Sequence, residues 1–255
     1  MTAVGTENKW FRRYPATGVL RKRLVVLPHA GGSATFYHSW GQAFGPNVEV
    51  LVVRYPGRQE RLVEPCVESM GALADQVAAA LLPLASQVPL ALFGHSMGAS
   101  CAYEVALRME NLYGVRLAGL YVSARSAPHR VSPKQTYLGG DEALLDEVRR
   151  LGGTDAELLT DPDLSELLMP AIRADFRIVG TYGPRPATPV RCPVTAYAGE
   201  SDPAVEPADV AAWSEVAPAG FESKVLPGGH FYLLEQHDAV VGDLARRLDP
   251  GGSGE

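Results

Sequence analysis

The sequence predicts an α/β fold: a mostly parallel central sheet with helices packed on both faces, built as one domain. Three observations carry that expectation. Short β-branched apolar runs alternate with longer stretches of helical period, the rhythm of strand–helix crossover units. The runs "LVVL", "VEVLVV" and "LALF" are mostly continuous rather than alternating, which suits strands covered on both faces. One long segment, about residues 133–182, holds no convincing strand, so a helical insertion interrupts the rhythm.

Taken in order, strands are expected at residues 24–27, 48–53, 90–93, 117–122, 194–198 and 224–226. Helices are expected at 70–84, 97–109, 207–215 and 231–248. Inside the insertion, "DEALLDEVRRLGG" reads as an amphipathic helix stopping at Gly152 and Gly153. Thr154 and Glu157 have capping-box spacing. Leu164, Leu167, Leu168, Ile172, Phe176 and Val179 recur at close to helical period, and Pro170 should kink or split that helix. The insertion either caps an active site and moves, as such lids do, or is extra helical packing. The core then comprises about residues 10–132 and 183–248, and the Gly-rich tail 249–255 is expected to be disordered.

Composition narrows the function classes. The 255-residue chain is 46% hydrophobic and 20% charged, with a net charge of −6. It carries no long basic run, which argues against a nucleic-acid partner. Lys9, Arg12, Arg13, Arg21 and Arg23 cluster near the start and read as a solvated segment. The apolar run behind them, "LVVLP", is too short for a signal peptide or a membrane span. A soluble, cytoplasmic protein is expected. Cys66, Cys101 and Cys192 are widely spaced without a C-x-x-C pair, so they read as buried free thiols, with neither a zinc site nor a disulfide framework.

The chemistry is concentrated in "LALFGHSMGAS". Gly94 and Gly98 flank Ser96 in G-x-S-x-G, between an expected strand and an expected helix. That is the setting of a nucleophile elbow, in which a tight turn lifts the serine oxygen clear of the sheet. A serine hydroxyl attacks only if a base takes its proton. In α/β-hydrolases the base follows the last strand, and "KVLPGGHFYL" places His230 there. His237 reads as a surface or packing residue, His95 as a supporting one, and His38 and His129 have no matching context. The acid should follow the preceding strand, where "YAGESDPAV" offers Asp202, with Glu200 a close rival and Asp209 a weaker one. Asp202 is favoured because it lies further round the loop, before Pro203, able to turn towards His230 and hold its tautomer. Two backbone N–H groups must receive the oxyanion: that of Met97, after the nucleophile, and that of Ala30, in "LPHAGGSATFY". His29 in that loop reads as a loop-shaping hydrogen bonder. Phe36 and Tyr37 either line the substrate pocket or simply pack at a helix start. Arg54, Arg58 and Arg61, in "RYPGRQER", either meet a phosphate or acidic surface, or form a solvated loop pairing with Glu60.

Together "LPHAGGSATFY", "VRYPGRQERL", "LFGHSMGA", "YAGESDPAV" and "PGGHFYL" resemble the type II (editing) thioesterases of bacterial polyketide and nonribosomal peptide synthesis, over about residues 10–248. The resemblance implies the α/β-hydrolase fold, a Ser96–His230–Asp202 triad and a flexible lid at 133–182. It also implies a free-standing, cofactor-independent enzyme that strips acyl groups from phosphopantetheine arms of acyl or peptidyl carrier domains. A monomer with neither nucleic-acid nor membrane partners is expected. The same triad also suits a carboxylesterase or an acyltransferase. A carrier-binding protein on a dead hydrolase fold is disfavoured by the complete triad.

Overall fold

The computed structural model describes residues 9–152, 159 and 161–249. Among them, seven strands form one sheet: β1 (Phe11–Tyr14), β2 (Lys22–Leu27), β3 (Val48–Val53), β4 (Leu90–His95), β5 (Gly119–Ser123), β6 (Val194–Gly199) and β7 (Phe221–Leu226). Their order is β1-β3-β2-β4-β5-β6-β7. Only β1 runs antiparallel, against β3.

The continuous apolar runs are explained by the two cores. Val25 and Leu27 of β2 face one cluster, with helices α1 (Met70–Ala85) and α2 (Met97–Asn111). Leu24 and Val26 face the other, with Tyr37, Trp40, Tyr197 and Leu244. Alternate residues of one strand are thus buried on opposite faces. The chain leaves β2 towards β3 and later leaves β4 towards β5. The loops after β2 and β4 therefore diverge, opening a crevice at the C-terminal ends of these strands.

β1, "FRRY", was not expected. It is an edge strand whose two central residues are arginines, a composition that protects an edge and hides the strand pattern. β7 begins three residues earlier than expected because its exposed, charged start lacks an apolar run. The basic N-terminal cluster is only partly solvated. Arg23 is buried and donates to Glu49 at 2.5 Å, and Arg13 binds the same carboxylate at 2.6 Å, tying the first three strands together.

Between β5 and β6 lie a short 3-10 turn (Thr136–Leu138), α3 (Gly140–Leu151) and α4 (Pro162–Thr181). α4 is one continuous helix through Pro170, so of the expected kink or split the split does not occur. Pro170 and Glu166, whose carbonyl the proline leaves unpaired, are both exposed, so the missing bond falls on the solvent side of the helix, where it costs least. Leu144, Leu159, Met169, Ile172 and Phe176 form a small core separate from those of the sheet, while Ile178 and Tyr182 at the end of α4 join the main one. Thr154, Glu157 and the tail from 250 onward lie outside the described residues.

The expected 207–215 helix is α5 (Pro207–Ala211) continued as 3-10 helix. The expected final helix is two: α6 (Tyr232–Glu235) and α7 (His237–Leu248). Gln236, at φ −100° and ψ +26°, leaves helical geometry between them. α6 is oriented separately because Tyr232 turns inward to Ser123, at 2.6 Å. Cys101 and Cys192 are buried and Cys66 is half-buried, all three as free thiols.

Candidate active site

Ser96 stands between β4 and α2 with φ +55° and ψ −118°, a conformation that L-residues adopt only under constraint. The constraint is visible. A Cβ on Gly94 would lie 2.1 Å from the Gly98 carbonyl oxygen, and one on Gly98 would lie 2.0 Å from that of Leu27. Both glycines are required by close backbone approach. The Ser96 N–H donates to Ser123 O at 2.8 Å, locking the turn to β5.

His230 lies two residues before α6. Its Nε2 is 3.0 Å from Ser96 Oγ and its Nδ1 is 2.8 Å from Asp202 Oδ2. The other oxygen of Asp202 accepts the Ala204 N–H at 2.8 Å, and the carboxylate is fully buried. Glu200 is exposed, and Asp209 faces Ser126 at 3.5 Å. Of the three candidate acids, Asp202 is the one that meets the imidazole. A close approach between Gly199 and Gly229, where an added Cβ would sit 2.2 Å from a carbonyl oxygen, brings the acid and histidine loops together.

Met97 is the first residue of α2, so its N–H has no acceptor within the helix. Ala30 borders the same space as Ser96 and His230. The next residue, Gly31, takes a left-handed φ of +75°. Its N–H donates to Asp175 of α4 at 2.8 Å. Arg58 grips that carboxylate with two bonds of 2.7 and 2.8 Å and reaches Gly32 O at 3.0 Å. This buried pair fastens the Ala30 loop to the insertion helix. Arg61 is also buried, bonded to Glu64 and lying 4.1 Å over the Trp10 ring, while Arg54 pairs with Glu60 at 3.8 Å. Neither the phosphate reading nor the solvated-loop reading holds for Arg58 and Arg61; only the Arg54–Glu60 contact matches. Asp175 was missed, although its position on the apolar face of an amphipathic helix, between Ile172 and Phe176, marks it as a buried charge needing a partner.

His29 shapes its loop as expected. Its Nδ1 lies 3.4 Å from Tyr37 Oη, and its ring packs edge-on against Phe36 and Phe231. Burial, then the neighbouring His230 and Arg58, holds it down at about 3. His95 is fully buried and sits 2.8 Å from Ser123 Oγ, its ring 5.3 Å from that of His230. Burial, followed by His230 and His29, keeps it well below the usual histidine value. Both are therefore neutral supports.

Two cavities meet at Ser96 and His230. The larger, about 560 Å³, is mostly apolar, with Phe36, Leu168, Ile172, Phe231 and Leu234 in its wall. The smaller, about 130 Å³, is mixed: Arg125, Ser126, Ser132 and Lys134 stand beside Val131, Val179 and Val205. Phe36 thus reaches the larger chamber. Tyr37 does not: it is wholly buried in the sheet core, and the pocket reading for it is corrected. Phe231 and Arg125 were not expected at the site; neither sits in a local pattern that marks it.

The sheet order, the strained turn and the hydrogen-bonded Ser–His–Asp line define an α/β-hydrolase fold. The chain belongs to the thioesterase family, whose domain model matches residues 22–248. It is 43% identical over 239 residues to "Thioesterase PikA5" of Streptomyces venezuelae, covering 94% of this chain and 85% of that one. It is 33% identical over 249 residues to "Gramicidin S biosynthesis protein GrsT" of Aneurinibacillus migulanus, covering 97% of each. Among solved structures, the type II thioesterase BorB from the borrelidin biosynthetic cluster superposes with a TM-score of 0.84 at 42% identity, over 95% of this chain and 97% of that one. The protein is accordingly an enzyme that hydrolyses thioesters, grouped by its relatives with the type II thioesterases of polyketide and nonribosomal peptide pathways. Among the described residues, no helix is long and apolar enough to cross a membrane.

Proposed function

We propose that this enzyme clears acyl groups from the phosphopantetheine arms of carrier domains, using Ser96 as nucleophile, His230 as base and acid, and Asp202 to orient it. One observation carries the reading: Ser96 Oγ stands 3.0 Å from His230 Nε2 at the junction of a large apolar chamber and a smaller one that holds Arg125, Ser126 and Ser132. An acyl chain suits the first and a polar arm the second. His230 takes the Ser96 proton as Oγ attacks the thioester carbonyl. The oxyanion is received by the N–H groups of Ala30 and Met97. As the tetrahedral adduct collapses, the C–S bond breaks and His230 gives its proton to the departing sulfur. Water then attacks the acyl-enzyme, losing a proton to His230. Collapse of the second adduct returns that proton to Ser96 and releases the acid.

The segment 133–182 acts as a lid on one α/β domain, and the enzyme works in the cytoplasm beside its synthase. The separate small core of Leu144, Met169, Ile172 and Phe176 supports the first statement for α3 and the first part of α4, because a unit with its own packing can move without disrupting the sheet. Asp175, Ile178 and Tyr182 anchor the end of α4 to the body of the domain. The test is hydrolysis of a panel of acyl-carrier thioesters and matched simple esters, followed by mass spectrometry of the carrier. Carrier thioesters should be preferred, and Ser96→Ala should lower turnover by on the order of 10⁴–10⁶-fold. A large preference for esters, or transfer of the acyl group to an alcohol rather than water, would overturn the reading.

A further inference from the structure

Arg125 is the odd charge of the site. It follows β5 directly, after Ala124, which is held at φ +50°. Its Nε donates to Ser100 Oγ at 2.8 Å, and Ser100 lies one helical turn beyond Ser96 on α2. Its Nη2 is buried with no acceptor. Every other cation of the smaller cavity has an acid: Lys134 pairs with Glu147 and Arg130 with Glu215. Arg125 has no carboxylate partner among the described residues. Burial lowers it to about 10, which still leaves it charged at neutral pH. Arg125 is half-buried as a residue, but a buried guanidinium nitrogen is ordinarily hydrogen-bonded, and Nη2, which is not, calls for an explanation.

The explanation lies in what enters the cavity. With the acyl chain in the apolar chamber, the thiol side of the substrate leaves Ser96 through the smaller one, where Arg125 is in the wall. The first polar group on that side of a pantetheine thioester is an amide, close behind the sulfur. Its carbonyl oxygen is a neutral acceptor of the kind that a guanidinium edge beside the nucleophile lacks. The arm's phosphate is far too distant from the sulfur to reach a side chain seated one turn from Ser96. We infer that Arg125 is a substrate-binding residue that donates to the sulfur-proximal amide carbonyl of the pantetheine arm and so selects for the thiol half of the substrate. This rests on the thioester-hydrolysis reading above and adds a residue and a ligand atom to it.

The experiment compares two thioesters of the same acyl group, one of N-acetylcysteamine, which has that amide, and one of ethanethiol, which lacks it. Wild type should favour the first, and Arg125→Met should reduce kcat/KM on it roughly tenfold or more beyond any loss on the second. Arg125→Lys, which restores a charged donor, should recover part of the difference. Equal losses on both thioesters, or none on either, would overturn the inference. So would a loss that follows the acyl group, such as malonyl against acetyl, instead of the thiol. Because the readout is a ratio within one variant, a drop in the folded fraction cancels. If wild type cleaves neither thioester, the functional reading itself fails and takes the inference with it. If wild type cleaves both and the ratio ignores Arg125, only the inference fails.

Discussion

Ser96 is held in a conformation that costs on the order of 1–3 kcal/mol, and Gly94 and Gly98 are what make it reachable. The same logic of one residue supporting another applies to Asp175. Its carboxylate accepts from Gly31 N–H and from both Nη1 and Nη2 of Arg58, which is itself buried. Asp175→Ala would leave a buried guanidinium without an anion and a backbone N–H without an acceptor, at a cost of about 3–5 kcal/mol. Urea denaturation should show that loss. In steady-state kinetics of the fraction that folds, kcat should fall more than KM rises, because the Ala30 donor is set by this loop. Asp175→Asn keeps an acceptor for Gly31 and should lose less activity. An Asp175→Ala enzyme with normal kcat would show that the loop holds its shape unaided.

At the level of elements, α4 has two jobs along its length. Its end, with Ile178 and Tyr182, is part of the main core, and its middle, with Leu168, Ile172 and Phe176, walls the acyl chamber. Ile172 is 4% exposed and faces that chamber. Ile172→Trp should shorten the space available to a chain. Hydrolysis of a decanoyl thioester should drop by about tenfold or more relative to an acetyl one. A uniform loss across chain lengths would place the long-chain site elsewhere. The insertion's helices were readable from their period, but the continuity of α4 was not. Whether Pro170 breaks a helix depends on whether the carbonyl it strands can reach water, and only the packing decides which face it occupies.

Across the whole molecule, the neutral histidines beneath the site tie stability to pH. His29 and His95 titrate at a lower pH in the folded protein than the usual 6.5. Below about pH 6.5 the unfolded chain binds protons at these positions that the folded chain refuses. Their contribution is therefore complete above that pH and is lost as pH falls, for His29 down to about 3, at about 1.4 kcal/mol per pH unit for each histidine that the folded chain keeps neutral. Thermal melting between pH 7.5 and 5 should show a Tm that is level down to about pH 6.5 and falls below it. A flat profile through that window would mean that one or both rings accept a proton in the native state.

The sequence by itself determined the parallel sheet, the elbow at Ser96, His230 as the candidate base, and the loop after β6 as the source of the acid. These rest on local patterns: apolar runs buried on both faces, glycines where backbones touch, and a fixed chain order of loops after strands. The tertiary structure alone decided that Asp202 and not Glu200 meets the imidazole, that Tyr37 is core while Phe36 is wall, and that Arg58 is a buried clamp. It also decided that Arg125 stands without an acid. Arg58 and Asp175 are 117 residues apart, and no local pattern encodes which distant charge a side chain will find. That choice is made when the sheet brings its loops together, because a buried charge is tolerated only where a partner arrives with it.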